Sequence, residues 1–268
     1  MNRHLNIIST GLLLLAFTQA INAQKTYTLQ WGTDLTLTSA ILATNIPGSA
    51  IGRKIEPLSP ATIAALDRKD VFVLDRISTY WLHNKADKAS NILLKGATIA
   101  PLLLLAFKPA RKEVVVISVL YAETFSLTLG LTQLTKNLVK RSRPYTYNPN
   151  APLEFKQQPD ARRSFFSGHT SSTAASCFFA ARVWSDLYPD SRWKPAVWSV
   201  AATIPAIMGF LRMRAGRHFF TDVATGYAVG AAVGCLVPWL HKSSGFKKNG
   251  LTFWGSQQGA GLVWKYSR

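Results

Sequence analysis

The stretch that decides the fold runs from Arg212 to Leu240 and reads RMRAGRHFFTDVATGYAVGAAVGCLVPWL. Its first part is basic and carries two other ionisable side chains, His218 and Asp222. From Val223 to its end, the stretch has no charged side chain. Such a run predicts a helix that is buried on all sides, in a helical core or in a bilayer. Its length is marginal for a hydrocarbon core of about 30 Å.

Four similar apolar runs precede it, so the sequence predicts an all-α helical bundle. Several runs carry an isolated charge, such as Lys95, Glu123 or Arg182, and inside a bilayer such a charge must face protein or water. Each run is therefore either a buried helix of a soluble bundle or a short membrane span. The four further runs are Ile92–Phe107, Val114–Leu131, Thr170–Trp184 and Ala196–Leu211.

The composition lies between that of a soluble enzyme and that of a membrane protein. Apolar residues make up 48% and charged residues 16%, the formal net charge is +18, and the mean hydropathy is +0.09. The basic residues form short clusters between apolar runs, which argues against nucleic-acid binding and favours membrane-edge anchors and an anionic substrate. Cys177 and Cys235 lie in apolar stretches, and we expect free thiols.

The N-terminus has the pattern of a secretory signal peptide. Arg3 and His4 precede an apolar run at Gly11–Phe17, and Ile21–Ala23 resembles a small-residue cleavage site. We therefore predict that residues 1–23 are a cleaved leader, the alternative being an uncleaved anchor.

The rest of the chain divides into three parts. Residues 24–90 are predicted to be an N-terminal extension with one or two amphipathic helices outside any bilayer, residues 91–242 the core, and residues 243–268 a tail. Within the extension, Thr33–Ile51 is either a poor membrane helix or an amphipathic surface helix. In the tail, Gly250–Tyr266 alternates glycine, aromatic and β-branched residues, which predicts a short hairpin.

The distribution of loop charge favours the membrane alternative. If the extension lies outside, the first firm span, Ile92–Phe107, runs inward, and the basic loop Lys108–Lys112 becomes cytoplasmic. The tail after Leu240 would also be cytoplasmic, and it too begins with basic residues. Both agree with the positive-inside rule.

Three short segments carry the residues suited to catalysis, and all would face one side in this topology. His218 and Asp222 are four residues apart and would share one face of a helix, where the carboxylate can fix the imidazole tautomer. Arg212 is placed on the incoming loop, from which its guanidinium can reach an anion beside the imidazole. The segments begin at Lys136, Ser164 and Arg212 and read KNLVKRSRP, SFFSGHT and RMRAGRHFFTD.

The first two segments add further anion-binding groups. Ser167, Gly168 and His169 precede an apolar helical run, so their amides would lie at a helix N-terminus, which favours negative charge. Lys136 and Arg143 add two cations.

Together the three segments resemble the phosphatidic acid phosphatase type 2 (PAP2) superfamily, which includes bacterial class A acid phosphatases and vanadium haloperoxidases. Its pattern is Lys-x6-Arg-Pro, then Pro-Ser-Gly-His, then Ser-Arg-x5-His-x3-Asp. This chain departs at Phe166, where the family usually has proline, and at Leu211, where it has serine. The resemblance covers residues 136–222, extends with the helical pattern to about 90–240, and implies a bundle of the PAP2/haloperoxidase type with about five to six transmembrane helices.

The resemblance also implies a division of labour. His218 would attack phosphorus, oriented by Asp222, and His169 would protonate the leaving alkoxide and later activate water. No metal or other cofactor is expected in this reaction. The groups that would hold the phosphate oxygens are Lys136, Arg143, Ser167, Gly168 and Arg212.

Other polar residues match no motif. His4, His83 and His241 are expected to be ordinary, and Lys140 with Arg141 would either assist an anionic headgroup or be solvated.

Four functions are compatible with the pattern. The leading one is a metal-independent phosphatase that acts on phosphate or pyrophosphate monoesters of membrane lipids, in a bacterial inner membrane with its site facing the periplasm. Its partners would be phosphorylated and anionic lipids. The alternatives are a soluble periplasmic acid phosphatase, a vanadate-dependent peroxidase and a lipid-binding scaffold with a lapsed site.

Overall fold

The computed structural model describes residues 25–243, 249–256 and 259–266. The predicted signal peptide, residues 1–23, lies outside these ranges. The described chain is a helical bundle followed by one antiparallel hairpin of strands β1 (Asn249–Ser256) and β2 (Gly259–Tyr266), so the predicted all-α bundle and the C-terminal hairpin are confirmed. The α-helices are α1 (Trp31–Gly52), α2 (Pro60–Ala64), α3 (Val73–Arg76), α4 (Asn84–Ile99), α5 (Lys108–Lys112), α6 (Val114–Val139), α7 (Leu153–Lys156), α8 (Gly168–Leu187), α9 (Lys194–Arg214) and α10 (Phe220–Leu240).

Short 3₁₀ helices connect these elements. The longest continues α4, so the run Ile92–Phe107 is not a helix of its own. The 3₁₀ helices are Arg68–Asp70, Ile77–Tyr80, Ala100–Ala106, Pro144–Tyr147 and Pro159–Arg162.

Among the described helices, four segments are long and apolar enough to cross a membrane. We expected five to six spans. The run in α8 does not join them, because the first half of that helix is rich in serine and threonine and its second half carries Arg182 and Asp186. The four segments favour the membrane-bound alternative over the soluble one. They are Asn84–Ala106, Val114–Tyr147, Lys194–Arg214 and Phe220–Leu240.

Helix α8 is the centre of the bundle and packs against α4, α6, α9 and α10. Its approach to α10 is close because Gly226, Gly230 and Gly234 form a stripe along α10. A Cβ atom at Gly230 would lie 2.1 Å from the carbonyl oxygen of Ser171. Small residues at such spacing let helix backbones touch, as is common between membrane helices.

Replacing Gly230 by alanine is expected to separate α8 from α10. The added methyl group would meet backbone, which cannot rotate away, and overpacking of this kind costs about 1–3 kcal/mol. We expect Gly230→Ala to lower the unfolding midpoint and the activity together. Gly96→Ala on α4 is the matched control, because a Cβ there meets no described atom within 4 Å. Equal midpoints for the two variants would contradict the role of the stripe.

The N-terminal extension differs from its prediction. Residues 53–80 form helical turns of three to five residues instead of amphipathic helices. Helix α1, which contains Thr33–Ile51, packs along α6, where the Asn137 side chain donates a hydrogen bond of 2.6 Å to the Gly48 carbonyl. By length and composition α1 is not among the four candidate spans.

The two ends of the bundle meet. Thr28 donates its amide to the His241 carbonyl, and Ser243 donates to the Thr26 carbonyl. Glu113 accepts the amides of Thr26 and Tyr27 at 2.8 and 3.0 Å. The start of the described chain is therefore fixed beside the end of α10.

Candidate active site

Six of the eight predicted site residues line one cavity of about 360 Å³. The cavity lies where the C-terminal end of α6, the end of α9 and the N-terminal ends of α8 and α10 come together. Leu94 of α4 and Leu129 of α6 also line it. The six residues are Lys136, Arg143, Gly168, His169, Arg212 and His218.

His218 occupies the turn before α10, because that helix begins at Phe220. The sequence predicted that His218 and Asp222 share one face of a helix. This prediction is wrong, because His218 lies outside the helix. Asp222 lies in the first turn of α10, and its Oδ2 is 3.5 Å from Nδ1 of His218. On the other side of the ring, Nε2 is 3.4 Å from a guanidinium nitrogen of Arg143. The ring thus lies between a carboxylate and the cations of the cavity.

Burial holds the pKa of His218 well below its usual range, and the nearby cations Lys136, Arg143 and Arg212 lower the pKa further. The imidazole is therefore neutral at neutral pH, and one ring nitrogen keeps a free lone pair. Nδ1 makes no hydrogen bond to a described group. With its proton on Nδ1, toward Asp222, the ring presents the lone pair of Nε2 toward Arg143.

His169 stands in the first turn of α8, and its Nε2 is 2.8 Å from the side-chain oxygen of Asn91 on α4. Burial, with the positive charge of Arg212 and Lys136, lowers the pKa of His169 to about 3. An anion in the cavity would offset these charges and raise this pKa. A leaving-group oxygen that receives a proton from Nε2 has to displace Asn91 from it.

Each of the three cations predicted from the sequence is fixed by oxygen atoms. Lys136, on the last turn of α6, donates from Nζ to the Arg163 carbonyl at 2.7 Å. Arg143 pairs with Asp160 at 2.9 Å. These contacts aim positive charge at the cavity without neutralising all of it.

Arg212 lies on the last turn of α9. The sequence had predicted a loop at this position. Its guanidinium donates to Asp87 at 2.7 Å and to Ser90 at 2.9 Å, both on α4. Arg217 binds the same Asp87 carboxylate. Helix α4 therefore positions one of the predicted phosphate ligands.

Ser167 and Asp222 stand behind the cavity. Ser167 is the N-cap of α8, where its Oγ accepts the Thr170 amide at 3.4 Å. Its own amide donates to the backbone carbonyl of Asp222 at 2.9 Å. The second and third sequence segments are thus joined directly.

Sequence reasoning missed a buried network beneath His218. Arg141 donates to Asp222 at 2.6 Å and to Asp75 at 2.7 Å, so it is not a solvated or headgroup-binding cation. Asp75 is 1% exposed and also accepts the amide and hydroxyl of Thr221. Ser164 donates to the remaining Asp222 oxygen at 2.5 Å.

Comparison with known proteins gives a family match. A model of the PAP2 superfamily matches residues 114–245, which contain all three sequence segments. Residues 114–245 of the chain belong to the PAP2 superfamily. The described part of the chain has four apolar helices long enough to span a bilayer, which is the composition of a membrane-bound member of this superfamily.

The chain is also similar to a solved transmembrane PAP2-type phosphatidylglycerolphosphate phosphatase from Bacillus subtilis. The two sequences are 22% identical, the match covers 86% of this chain and 92% of that one, and the TM-score is 0.42. No curated protein matches the chain.

Asp75 lies outside the part matched by the PAP2 model, yet it reaches the cavity through Arg141 and Asp222. We expect Asp75→Asn to lower kcat by about 10–100-fold, because charge-assisted hydrogen bonds contribute about 1.5–3 kcal/mol each. KM for p-nitrophenyl phosphate should stay the same, since Asp75 does not line the cavity. Steady-state kinetics would test this, with the exposed Asp70→Asn as the control. An unchanged kcat would contradict the positioning role.

Proposed function

We propose that the protein hydrolyses phosphate or pyrophosphate monoesters of membrane lipids through a phosphohistidine on His218. The observation that carries the proposal is the composition of the cavity. It combines two histidines with four cations and the Asp160 carboxylate. Its remaining wall includes Leu94 and Leu129 from two candidate membrane spans. A phosphate group and the apolar part of its ester can therefore both find partners there.

The first chemical step forms a bond between phosphorus and Nε2 of His218 and breaks the bond between phosphorus and the ester oxygen. The proton on His169 passes to the departing alkoxide. Lys136 and the two guanidinium groups, Arg143 and Arg212, carry the charge that develops on the equatorial oxygens.

The second step reverses these roles. His169, now neutral, takes a proton from water, whose oxygen bonds to phosphorus while the bond to His218 breaks. Inorganic phosphate leaves, and both histidines return to their initial state. The Asp222 carboxylate, whose Oδ2 lies 3.5 Å from Nδ1 of His218, favours the proton on that nitrogen throughout. Arg141, which also binds Asp75, fixes this carboxylate from behind.

The placement of basic residues supports a site that faces the periplasm of a bacterial inner membrane. The basic helix α5, Lys108–Lys112, precedes the N-terminal end of α6, and Lys136 lies at the other end. At 1.5 Å per residue, helix α6 separates them by about 35 Å, roughly the thickness of a bilayer. If the basic end is cytoplasmic, the cavity is outside.

The test is phosphate release by the protein purified in detergent. The substrates are phosphatidic acid, phosphatidylglycerol phosphate and undecaprenyl pyrophosphate in mixed micelles, compared with p-nitrophenyl phosphate in the same detergent. We expect kcat/KM for at least one lipid to exceed that for the small ester by about 100-fold or more, because the apolar wall adds binding energy. Phosphate release from the small ester alone would overturn the proposal of a lipid substrate, and the protein would then be a phosphatase of small phosphate esters.

Samples quenched in base and in acid would test the mechanism separately. With ³²P-labelled substrate, label should remain on the protein in base and be lost in acid, as expected of a phosphoramidate. Rapid turnover with no trapped label under any quench, together with full activity of His218→Ala, would exclude the histidine intermediate.

A further inference from the structure

Three polar side chains from three helices converge at the end of the bundle opposite the cavity. They are Asp34 on the first turn of α1, Glu123 on α6 and His241 directly after α10. Each offers one donor atom, and the three atoms lie within 4.8 Å of one another. Nε2 of His241 is 2.9 Å from Asp34 Oδ1 and 3.6 Å from Glu123 Oε2.

The histidine is held as metal-binding histidines are held. Its Nδ1 is 2.9 Å from the Val237 carbonyl, so Nδ1 carries the proton and donates it there. This leaves the lone pair of Nε2 directed at the two carboxylates. A backbone acceptor on the far nitrogen is the usual arrangement behind a histidine ligand. His241 is fully buried, so the ring has no freedom to turn away.

Glu123 has an unsatisfied oxygen at this point. The residue is 8% exposed, and its Oε2 has no hydrogen-bond partner among the described groups. A lone carboxylate in an apolar helix is costly unless it is paired. The charged groups around it are His241 and Asp34, and Asp34 is an anion as well.

Either a proton on His241 or a divalent metal ion could balance the negative charge of this cluster, and the number of charges favours the metal ion. A proton on His241 would give one positive charge against two carboxylates and would leave Glu123 Oε2 beyond hydrogen-bonding distance. A divalent cation would neutralise both carboxylates and use the free oxygen. The donor spacings of 2.9 and 3.6 Å match ligand atoms that surround one ion at about 2.0–2.2 Å.

We propose that Asp34, Glu123 and His241 bind a divalent transition-metal cation, with Zn²⁺ as the best match. Imidazole favours this class of metal over Mg²⁺ and Ca²⁺, and carboxylates complete the set. The Asp34 side chain is 27% exposed, which gives the ion an entry path and room for a water ligand. The bound ion would join α1, α6 and the end of α10, far from the reacting phosphate, so its role is structural.

The test uses the full chain, purified through a tag without histidines, treated with EDTA and transferred to metal-free detergent buffer. After addition of Zn²⁺ and gel filtration, we expect one equivalent of Zn²⁺ per chain. At about 100-fold excess over its Kd, Zn²⁺ should raise the unfolding midpoint by roughly 5–10 °C. Co²⁺ in its place should give visible absorption bands of the ligated ion.

Variants separate this site from the histidines of the cavity. Glu123→Gln keeps the side-chain shape and should lose the Zn²⁺ equivalent, whereas His218→Ala should retain it. Asp34→Asn, whose side chain is partly exposed and thus less important for folding, should weaken Zn²⁺ binding about 10-fold or more. Two results would overturn the proposal and assign the cluster to a protonated His241. One is zero Zn²⁺ on the wild-type protein with an unchanged midpoint, and the other is wild-type Zn²⁺ binding by both carboxylate variants.

Discussion

Replacing His218 by alanine is expected to lower kcat/KM by at least about 10⁴-fold for every substrate. The residue supplies the attacking atom of the proposed reaction, and removal of a nucleophile from a preorganised site commonly costs this much or more. Cations that remain in the cavity can bind phosphate but cannot form the intermediate. The variant should therefore still bind phosphate while no label is trapped on the protein.

Two controls accompany this variant. His83 is exposed and lies outside the cavity, so His83→Ala should behave as the wild type and show that loss of a histidine alone has no effect. His218→Asn fills more of the space than alanine and tests whether activity is lost through misfolding. If His218→Asn folds, binds phosphate and still turns over at the wild-type rate, another residue is the nucleophile.

Replacing His169 by glutamine should affect kcat for lipid esters and for p-nitrophenyl phosphate differently. A lipid alkoxide is a poor leaving group and needs the proton, so its kcat should fall by about 10²–10⁴-fold, the usual contribution of a general acid. p-Nitrophenolate leaves without protonation, so formation of the phosphohistidine from that ester should be only slightly affected. Hydrolysis of the phosphohistidine then lacks a base. Labelled enzyme should therefore accumulate in a burst that is followed by slow turnover.

The pH dependence tests the same residue. His169 must be protonated when the lipid is bound, so kcat is sustained at low pH and lost as pH rises through the pKa of His169 in the complex. In the empty site that pKa is about 3, and the bound anion raises it. Phosphate binding should therefore take up a proton and tighten as pH falls. His169→Gln should lose both dependences, and a variant that keeps them would show that a different group titrates.

Much of the bundle was accessible from the sequence because its signals are local. Apolar runs between Ile92 and Leu240 predicted the major helices, and the alternation of glycine, aromatic and β-branched residues in Gly250–Tyr266 predicted the hairpin. Helix boundaries were less accurate. The run from Ile92 belongs to a helix that starts at Asn84, because polar residues of its first turns bind Arg212 and Arg217 in place of water.

The spacing of three segments predicted the residues that line the cavity, but not the side chains that support them. Asp75, Asp87 and Asp160 bind arginines that are 17 to 130 residues away in sequence. No short motif records such pairs. Asp75 and Asp87 meet their arginines through the packing of α4 and the preceding turns onto the bundle, and Asp160 meets Arg143 through the fold of the connection between α6 and α8. Arg141 illustrates the limit, because its neighbours in sequence gave no indication that it joins Asp75 to Asp222.

The glycine stripe of α10 has a consequence for how the enzyme opens. Gly226, Gly230 and Gly234 place α10 against the backbone of α8, so we expect these two helices to move together. His169 lies in the first turn of one of these helices and His218 precedes the other, so we expect the distance between the proposed acid and the proposed nucleophile to change little during catalysis. Motion that admits a lipid must then come from the opposite wall. Helix α4 is that wall, and it carries both Leu94 and the Asn91 side chain that a leaving group has to displace.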